Sequence, residues 1–484
     1  MIFETIIGLE VHLQLNTNTK IFCGCANLFG KESNTLVCPV CLGLPGTLPV
    51  LNQKALSSAI KIALALNCQV NPYIKFDRKN YYYPDLPKGY QISQYDLPVA
   101  SHGWVEIPDK QAGAPSDHRV KRINIKRAHL EEDAGKSIHD QTLNASLVDY
   151  NRTGTPLMEI VSDPDLRCAQ EAYDYLTTLK LILQYLNVSD CDMEKGSLRC
   201  DANISIRPLG EQKFGVKAEV KNMNSFKAVK MALEFEENRQ RQLLLSNQRV
   251  VQETRLWNEE KGMTFPMRSK EEAHDYRYFP EPDLVPFMVR ESMIEEIRAS
   301  LPELPHAKLE RFLKEYQISE YDAQILIQDP TLSGFFEECV KRTSMIKKVC
   351  NWLIGPVLQE LNLRKVNIQQ IGLQTQELVN LIDKVEQGVL SNLVAKDVFK
   401  LMLDTGKTVD TIVAEQGLTQ VSDDSVLEKI VEEIINDNEK VIAEIKQGKT
   451  SAMGFLVGQA MKKTQGKANP KKIGDLIKRR FENG

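Results

Sequence analysis

No run of about 18 uninterrupted apolar residues occurs in the chain, so a membrane-spanning helix is not expected. Met1 to Val11 also lack the basic and long apolar segments of a secretory signal, which makes the cytoplasm the expected location. Cysteine is sparse, ten in 484 residues, too few for a disulfide framework; in a reducing compartment these are thiols or metal ligands. The net charge is only −4, which excludes a uniformly basic surface, so any nucleic-acid contact must come from a local patch. There is no solenoid-period repeat and no low-complexity tract. Gly406-Lys407-Thr408 looks like the end of a phosphate loop, but Leu401 stands where that motif needs its first glycine.

What is present is a globular composition, 42% hydrophobic and 26% charged, in a chain long enough for two to four domains at roughly 150 residues each. Tyr321 is the last of fourteen tyrosines, and most Pro-rich turns and short alternating segments precede it. From about Ser292 the spacing becomes helical through Ile294, Ile297 and Leu301, until Pro302 and Pro305 interrupt it. Helices are expected to about Asp404, one of them through Leu378, Ile382 and Val385, with Gly406 as a stop. The end of the chain reads as three further helices, through Leu427 to Ile435, Phe455 to Met461 and Ile473 to Phe481. The expected fold class is α+β: an antiparallel-sheet domain over 1–291, a helical domain over 292–406 and a small all-helical tail over 407–484.

Several strands carry acids at two-residue spacing, which puts them on one face. Glu10 and His12 oppose Leu9, Val11 and Leu13. Arg199, Asp201, Asn203 and Ser205 oppose Leu198, Cys200, Ala202 and Ile204, and after a turn at Pro208-Leu209-Gly210 the alternation of Lys217, Glu219 and Lys221 suggests an antiparallel partner. Glu131 and Glu132 follow His129, and Glu159 sits in the apolar run Pro156 to Val161. Oxygen-rich clusters suit Mg²⁺, which neutralises charge as phosphoryl groups transfer, so ATP chemistry is a reasonable expectation. Alternating charge is also the ordinary outer face of an antiparallel sheet. That reading is weaker for Glu159, whose burial unpaired would cost several kcal/mol, although an Arg partner would resolve it.

Cys23-Gly24-Cys25 and Cys38-Pro39-Val40-Cys41 have the spacing of a four-thiolate zinc site, which leaves no position for water and is therefore structural. Phe76 to Pro84 mixes Arg78 and Lys79 with Tyr81, Tyr82 and Tyr83, a combination suited to phosphates and stacked bases and equally to a Tyr-rich core. From Lys449 onward nine Lys or Arg stand against two acids, with Lys462, Lys463, Lys467, Lys471, Lys472, Lys478, Arg479 and Arg480 clustered. That is enough charge to attract an RNA backbone, or simply a solvated basic helix.

Taken together, Ile7 to His12, Phe76 to Tyr81, Gln91 to Gln94, His129 to Lys136, Gly154 to Glu159, Gly196 to Asn203, Asp275 to Asp283 and Gly454 to Gln459 resemble the GatB family, the B subunits of bacterial aspartyl/glutamyl-tRNA amidotransferases. The resemblance spans essentially the whole chain. It implies a cradle related to glutamine synthetase, a helical domain and a tRNA-recognising tail. It also implies the reaction: ATP phosphorylates the side-chain carboxylate of Glu-tRNA(Gln) or Asp-tRNA(Asn), and ammonia displaces the phosphate. Carried over by motif, His12, Glu132, Glu159 and Asp201 are expected to hold Mg²⁺, with Glu10 beside them and Lys79 on phosphate. The expected partners are tRNA carrying Glu or Asp, the amidase (glutaminase) subunit of the amidotransferase, which releases ammonia, and its small subunit. No Ser-Ser-Lys amidase signature occurs in this chain, so a self-contained glutaminase is not expected. The alternative function is a noncatalytic, zinc-stabilised tRNA-binding protein, which leaves Glu132, Glu159 and Asp201 unexplained.

Overall fold

The computed structural model describes residues 2–109, 120–140, 142, 144–267, 276–418, 424–438, 441, 452–464 and 470–482. Asp275, Lys449 and Lys467, named above, lie outside them, as does the Lys471 side chain. Two compact units are present, Met1–Pro305 and His306–Gly484.

The first unit is built on the alternation that makes Phe3–Gln14 a strand: Ile7, Leu9, Val11 and Leu13 are buried, while Gly8, Glu10, His12 and Gln14 take the other face. In chain order the described strands are β1 (Phe3–Gln14), β2 (Gln69–Val70), β3 (Tyr73–Ile74), β4 (Asp77–Asn80), β5 (Tyr90–Ser93), β6 (Ala100–Pro108), β7 (Val120–Glu132), β8 (Lys136–Asp140), β9 (Ala145–Asp149), β10 (Pro156–Ser162), β11 (Leu198–Pro208), β12 (Ala218–Lys221), β13 (Glu253–Asn258), β14 (Met263–Pro266), β15 (Phe279–Pro280) and β16 (Phe287–Met288). Nine form one sheet in the order β14-β13-β12-β11-β1-β10-β7-β6-β2, antiparallel throughout except for β12 with β13. Helices α1 (Gln53–Ala65), α2 (Ala169–Leu186) and α3 (Phe226–Leu245) supply the apolar residues that join Leu9, Val11, Ala202 and Ile204 in one core. The other face of the sheet is thereby left to the charged residues. The hairpin expected from Pro208-Leu209-Gly210 is the antiparallel pair β11–β12.

A β-bulge decides which residues of β7 share that charged face. Val161 pairs with Arg127 but the next residue, Ser162, pairs with Ile125, so β7 carries one extra residue there. Before the bulge Ile123 and Ile125 enter the core; after it Ala128 and Leu130 do. Arg127, His129 and Glu131 are thus turned to the same side as His12 and Glu159. The three-stranded sheet β15-β4-β5 docks at this end of β7, where Ile92 and Ser93 of β5 donate to Glu132 and Glu131. Helix α4 (Glu291–Ala299) adds Ile294 to the same core.

The second unit is helical, as expected. The predicted helix through Leu378, Ile382 and Val385 is Thr375–Glu386, and Gly406, at φ 69°, ends Asn392–Thr405. Its core falls into one cluster drawn from Phe312 to Val413 and another, Leu427, Val431, Ile434, Leu456, Ala460, Ile473 and Ile477, shared by helices Asp424–Asp437, Ala452–Lys463 and Pro470–Glu482.

Glu337 links two helices of the larger cluster, with Lys308 Nζ 2.9 Å and Arg311 Nη2 2.5 Å from its carboxylate. Burial pushes its carboxyl up, but these two cations hold it below the usual value. A depressed carboxyl contributes stability above its unfolded-state pKa and loses it as pH falls through the folded one. Glu337→Gln should therefore lower unfolding free energy by about 1 kcal/mol at neutral pH. The deficit should shrink below about pH 4, as urea titrations at the two pH values will show.

Candidate metal centres and active site

The register of the large sheet sets four side chains in a row across four strands. His129 of β7 faces Glu159 of β10, Glu159 faces His12 of β1, and His12 faces Arg199 of β11. His12 Nε2 lies 3.4 Å and His129 Nε2 3.5 Å from the same oxygen of Glu159, and His129 Nε2 is 3.7 Å from Glu131. Ser93 Oγ donates to Glu131 at 3.0 Å. Arg127 reaches within 4.0 Å of Glu159. His129 Nδ1 and Arg127 Nε are buried without a hydrogen-bond partner among the described residues, so the polar capacity of this face is not exhausted by the protein.

The electrostatics are those of a tightly coupled cluster. Burial pushes the Glu159 carboxyl up, and His129, His12 and Lys79 more than reverse it, holding it well below the carboxylate range. Glu131 is likewise held down, against burial, chiefly by its contact with His129. Burial alone would lower the imidazole of His12; Glu159 and Glu131 outweigh that and raise it. One ligand atom from each of His12, Glu131 and Glu159 lies within 4.8 Å of the others, and this set of one imidazole and two carboxylates fits a divalent cation. An imidazole must give up its proton to bind one.

The expected ligand set is only partly gathered. His12 and Glu159 meet; Glu132 does not join them, because the two-residue period of the strand turns it away from Glu131. Glu132 instead pairs with Lys88 Nζ at 2.5 Å and accepts from the Ile92 N–H at 2.8 Å. Glu131 is the acid of the two that lies within reach of His12 and Glu159. The alternation of Arg127, His129 and Glu131 with Ala128 and Leu130 is the signal that distinguishes the two acids. Asp201 is also outside the group: it lies opposite Glu10 in the next row and is paired with Lys221 at 2.6 Å. Glu10 accepts from Asn203 at 3.1 Å and is raised by burial and by the Glu159, Glu219 and Asp201 carboxylates. Lys79 extends over the rings of Tyr276 (4.9 Å) and Tyr81 (5.7 Å); burial opposes its charge, but Glu131 and its other anionic neighbours raise it, so it stays an ammonium.

A cavity of about 250 Å³ opens beside Glu10, bounded by Gly8, Pro164, Asn203, Phe214 and Lys217. Apolar walls with a few polar groups at one end suit a small organic ligand.

Cys23, Cys25, Cys38 and Cys41 come together as expected, with all four sulfurs within 4.8 Å of one another, a set that fits a tetrahedral metal ion. Lys20, only 1% exposed, places Nζ 3.7 Å from Cys41 Sγ. The Cys23 thiol, the backbone at Cys38 and Lys20 hold the Cys41 thiol down to about 4.

Residues 5–295 match the family described as the GatB/GatE catalytic domain, and residues 334–481 match the GatB domain. The chain belongs to the GatB family. Curated relatives named as the B subunit of aspartyl/glutamyl-tRNA(Asn/Gln) amidotransferase include that of Thermoanaerobacter sp. strain X514, 54% identical over 478 residues. Those of Thermodesulfovibrio yellowstonii and Persephonella marina are 53% and 52% identical. In all three cases 99% of each chain is covered. The row of charged residues and the paired Glu131 and Glu132 therefore sit within the region shared with the GatB/GatE catalytic domain.

Gly43, two residues past Cys41, joins the cysteine loop to this region. It has φ +69°, and a Cβ built there would lie 2.1 Å from Lys88, the partner of Glu132. Gly43→Ala should therefore lower stability by about 1 kcal/mol or more in thermal melts, through both the disfavoured backbone and the displaced lysine.

Proposed function

We propose that this chain phosphorylates the side-chain carboxylate of glutamate or aspartate esterified to tRNA, using ATP, and presents the resulting acyl phosphate to ammonia, forming Gln-tRNA(Gln) or Asn-tRNA(Asn). The observation that carries the reading is the buried group of His12, Glu131 and Glu159, flanked by a cavity on one side and by Lys79 on the other. A carboxylate reacts poorly with ammonia because oxide would have to leave; an acyl phosphate loses phosphate instead. His12, Glu131 and Glu159 would hold Mg²⁺, which when bound neutralises the charge developing on the transferred phosphoryl group. The cavity beside Glu10 receives the nucleoside of ATP, with Phe214 as an apolar wall and Lys217 and Asn203 as polar contacts. Lys79, fixed over two tyrosine rings, orients phosphate oxygens as a point charge. Glu10 and Asp201 with Lys221 keep the neighbouring row acidic and rigid.

The four thiolates hold Zn²⁺, which staples the loop. The division of labour keeps the three parts expected over 1–291, 292–406 and 407–484, a catalytic cradle, a helical domain and a tRNA-binding tail, with the cradle extended to Pro305, since Ile294 joins its core, and the helical domain extended to take in Val409, Ile412 and Val413. In the tail Lys463 and Arg480 pair with Glu433 and Glu432, so their charge is partly neutralised. Lys462, Lys478 and Arg479 are the better candidates for RNA contact. Ammonia comes from the amidase subunit of the amidotransferase, whose small subunit completes a cytoplasmic heterotrimer. No helix among the described residues is long and apolar enough to cross a membrane. A noncatalytic RNA-binding role leaves the buried charged row without a purpose.

With the complex co-purified with its partners and supplied with ATP, Mg²⁺, ammonium and Glu-tRNA(Gln), the native chain should support amide formation. Glu131→Gln and Glu159→Gln should each reduce tRNA-dependent ATP cleavage by about 10²–10³ while leaving tRNA binding intact. Glu132→Gln should retain that cleavage; the reverse pattern would restore Glu132 to the ligand set. Metal analysis of the same complex should find about one zinc per chain, lost with a drop in melting temperature in Cys38→Ser/Cys41→Ser.

A further inference from the structure

Five tyrosines form a continuous chain of rings at the Glu131 end of the site. Tyr81 lies between Tyr83 and Tyr276, with centroids 6.3 and 6.0 Å away, Tyr278 follows Tyr276 at 6.0 Å, and Tyr95 stacks on Tyr278 at 4.4 Å with 16° between planes. The chain rests on firm supports: the Tyr81 hydroxyl donates to Gln91, and Asn80 N–H donates to the Tyr276 carbonyl. Yet Tyr83 is 65% and Tyr95 55% exposed, so two broad aromatic faces are offered to solvent beside a charged site. Gln91, which accepts from Tyr81, donates to the Glu132 carbonyl at 2.7 Å and so ties the rings to the Glu131 end of β7, and Lys79 lies over Tyr276 and Tyr81.

We propose that this tyrosine chain docks the 3′-terminal adenosine of the aminoacyl-tRNA. The inference rests on the function proposed above and names which side of the centre each substrate takes. In an in-line phosphoryl transfer the donor nucleotide and the acceptor carboxylate lie on opposite sides of the transferred group. The flank beside Glu10 is a cavity of about 250 Å³ with largely apolar walls, a fit for the single nucleoside of ATP. The Glu131 flank is open and aromatic. The acceptor carboxylate is separated from the terminal ribose by only a few bonds, so the terminal base has to rest within reach of this flank. Exposed aromatic faces with a nearby ammonium are the chemistry that holds an unpaired base.

The test uses the complex with its partner proteins and steady-state amidation with ammonium. Tyr83→Ala, in an exposed turn, and Tyr95→Ala should each raise KM for Glu-tRNA(Gln) about tenfold and leave KM for ATP unchanged. Tyr95→Phe, which keeps the ring, should recover most of the loss. The trinucleotide CCA should inhibit the native complex competitively with Glu-tRNA(Gln) and inhibit the alanine variants more weakly. A rise in KM for ATP instead would mean that the two nucleosides sit the other way round, and unchanged KM for both substrates would show that the rings bind neither; each result overturns the assignment while leaving amidation itself intact. A native complex that amidates neither Glu-tRNA(Gln) nor Asp-tRNA(Asn) would overturn the proposed function and this assignment with it.

Discussion

The carboxylate of Glu159, between Met158 and Ile160 in a strand with its neighbours fully buried, is the constraint around which the charged face of the sheet is arranged. Leaving such a group buried and unpaired would cost several kcal/mol. The large sheet answers with an imidazole from each adjacent strand, His12 on β1 and His129 on β7, both opposite Glu159 in register. That register depends in turn on the bulge near Val161, because without it β7 would present Ala128 and Leu130 to the site and bury His129 and Glu131 among the core residues. One backbone irregularity therefore selects the chemistry of the face. The same row continues to Arg199, whose guanidinium lies 3.0 Å from Asp133.

Much of this is legible in the sequence, because it rests on the two-residue period. The faces of β1 and β11, the hairpin from β11 to β12, the helices of the second unit and the four-cysteine cluster all follow from local spacing that tertiary structure leaves intact. Glu131 is not separable from Glu132 by chemistry, because adjacent acids are alike. Only strand parity separates them, and the bulge resets that parity within β7. Asp201 stands apart from His12 and Glu159 for a different reason. Its face is right, but its row is fixed by pairing with Glu10, and its partner Lys221 arrives from another strand. The tyrosines at 276 and 278 meet Tyr81 and Tyr95 only through the small sheet β15-β4-β5, a long-range pairing that no local pattern reveals.

The cysteine loop and the charged row are joined physically as well as in sequence. Cys41 leads within two residues to Gly43, which packs against Lys88, and Lys88 holds Glu132 beside Glu131. Beside this contact lies a cavity of about 200 Å³, lined by Lys20, Cys41, Gly43, Lys88 and Glu132 among others. Lys20 adds a buried ammonium to the thiolate cluster, which would otherwise concentrate negative charge in a poorly solvated place. Fixing the loop thus fixes Lys88, and through it the end of β7 on which Glu131 is carried.

If the carboxylate is activated by phosphoryl transfer, one of its oxygens must leave as part of phosphate. Glu-tRNA(Gln) labelled with ¹⁸O in its side-chain carboxyl group, amidated by the native complex with ATP and ammonium, should release inorganic phosphate carrying one labelled oxygen for each amide formed. Amide formation with unlabelled phosphate would contradict activation of the carboxylate by phosphoryl transfer and remove the purpose assigned to the His12, Glu131 and Glu159 group.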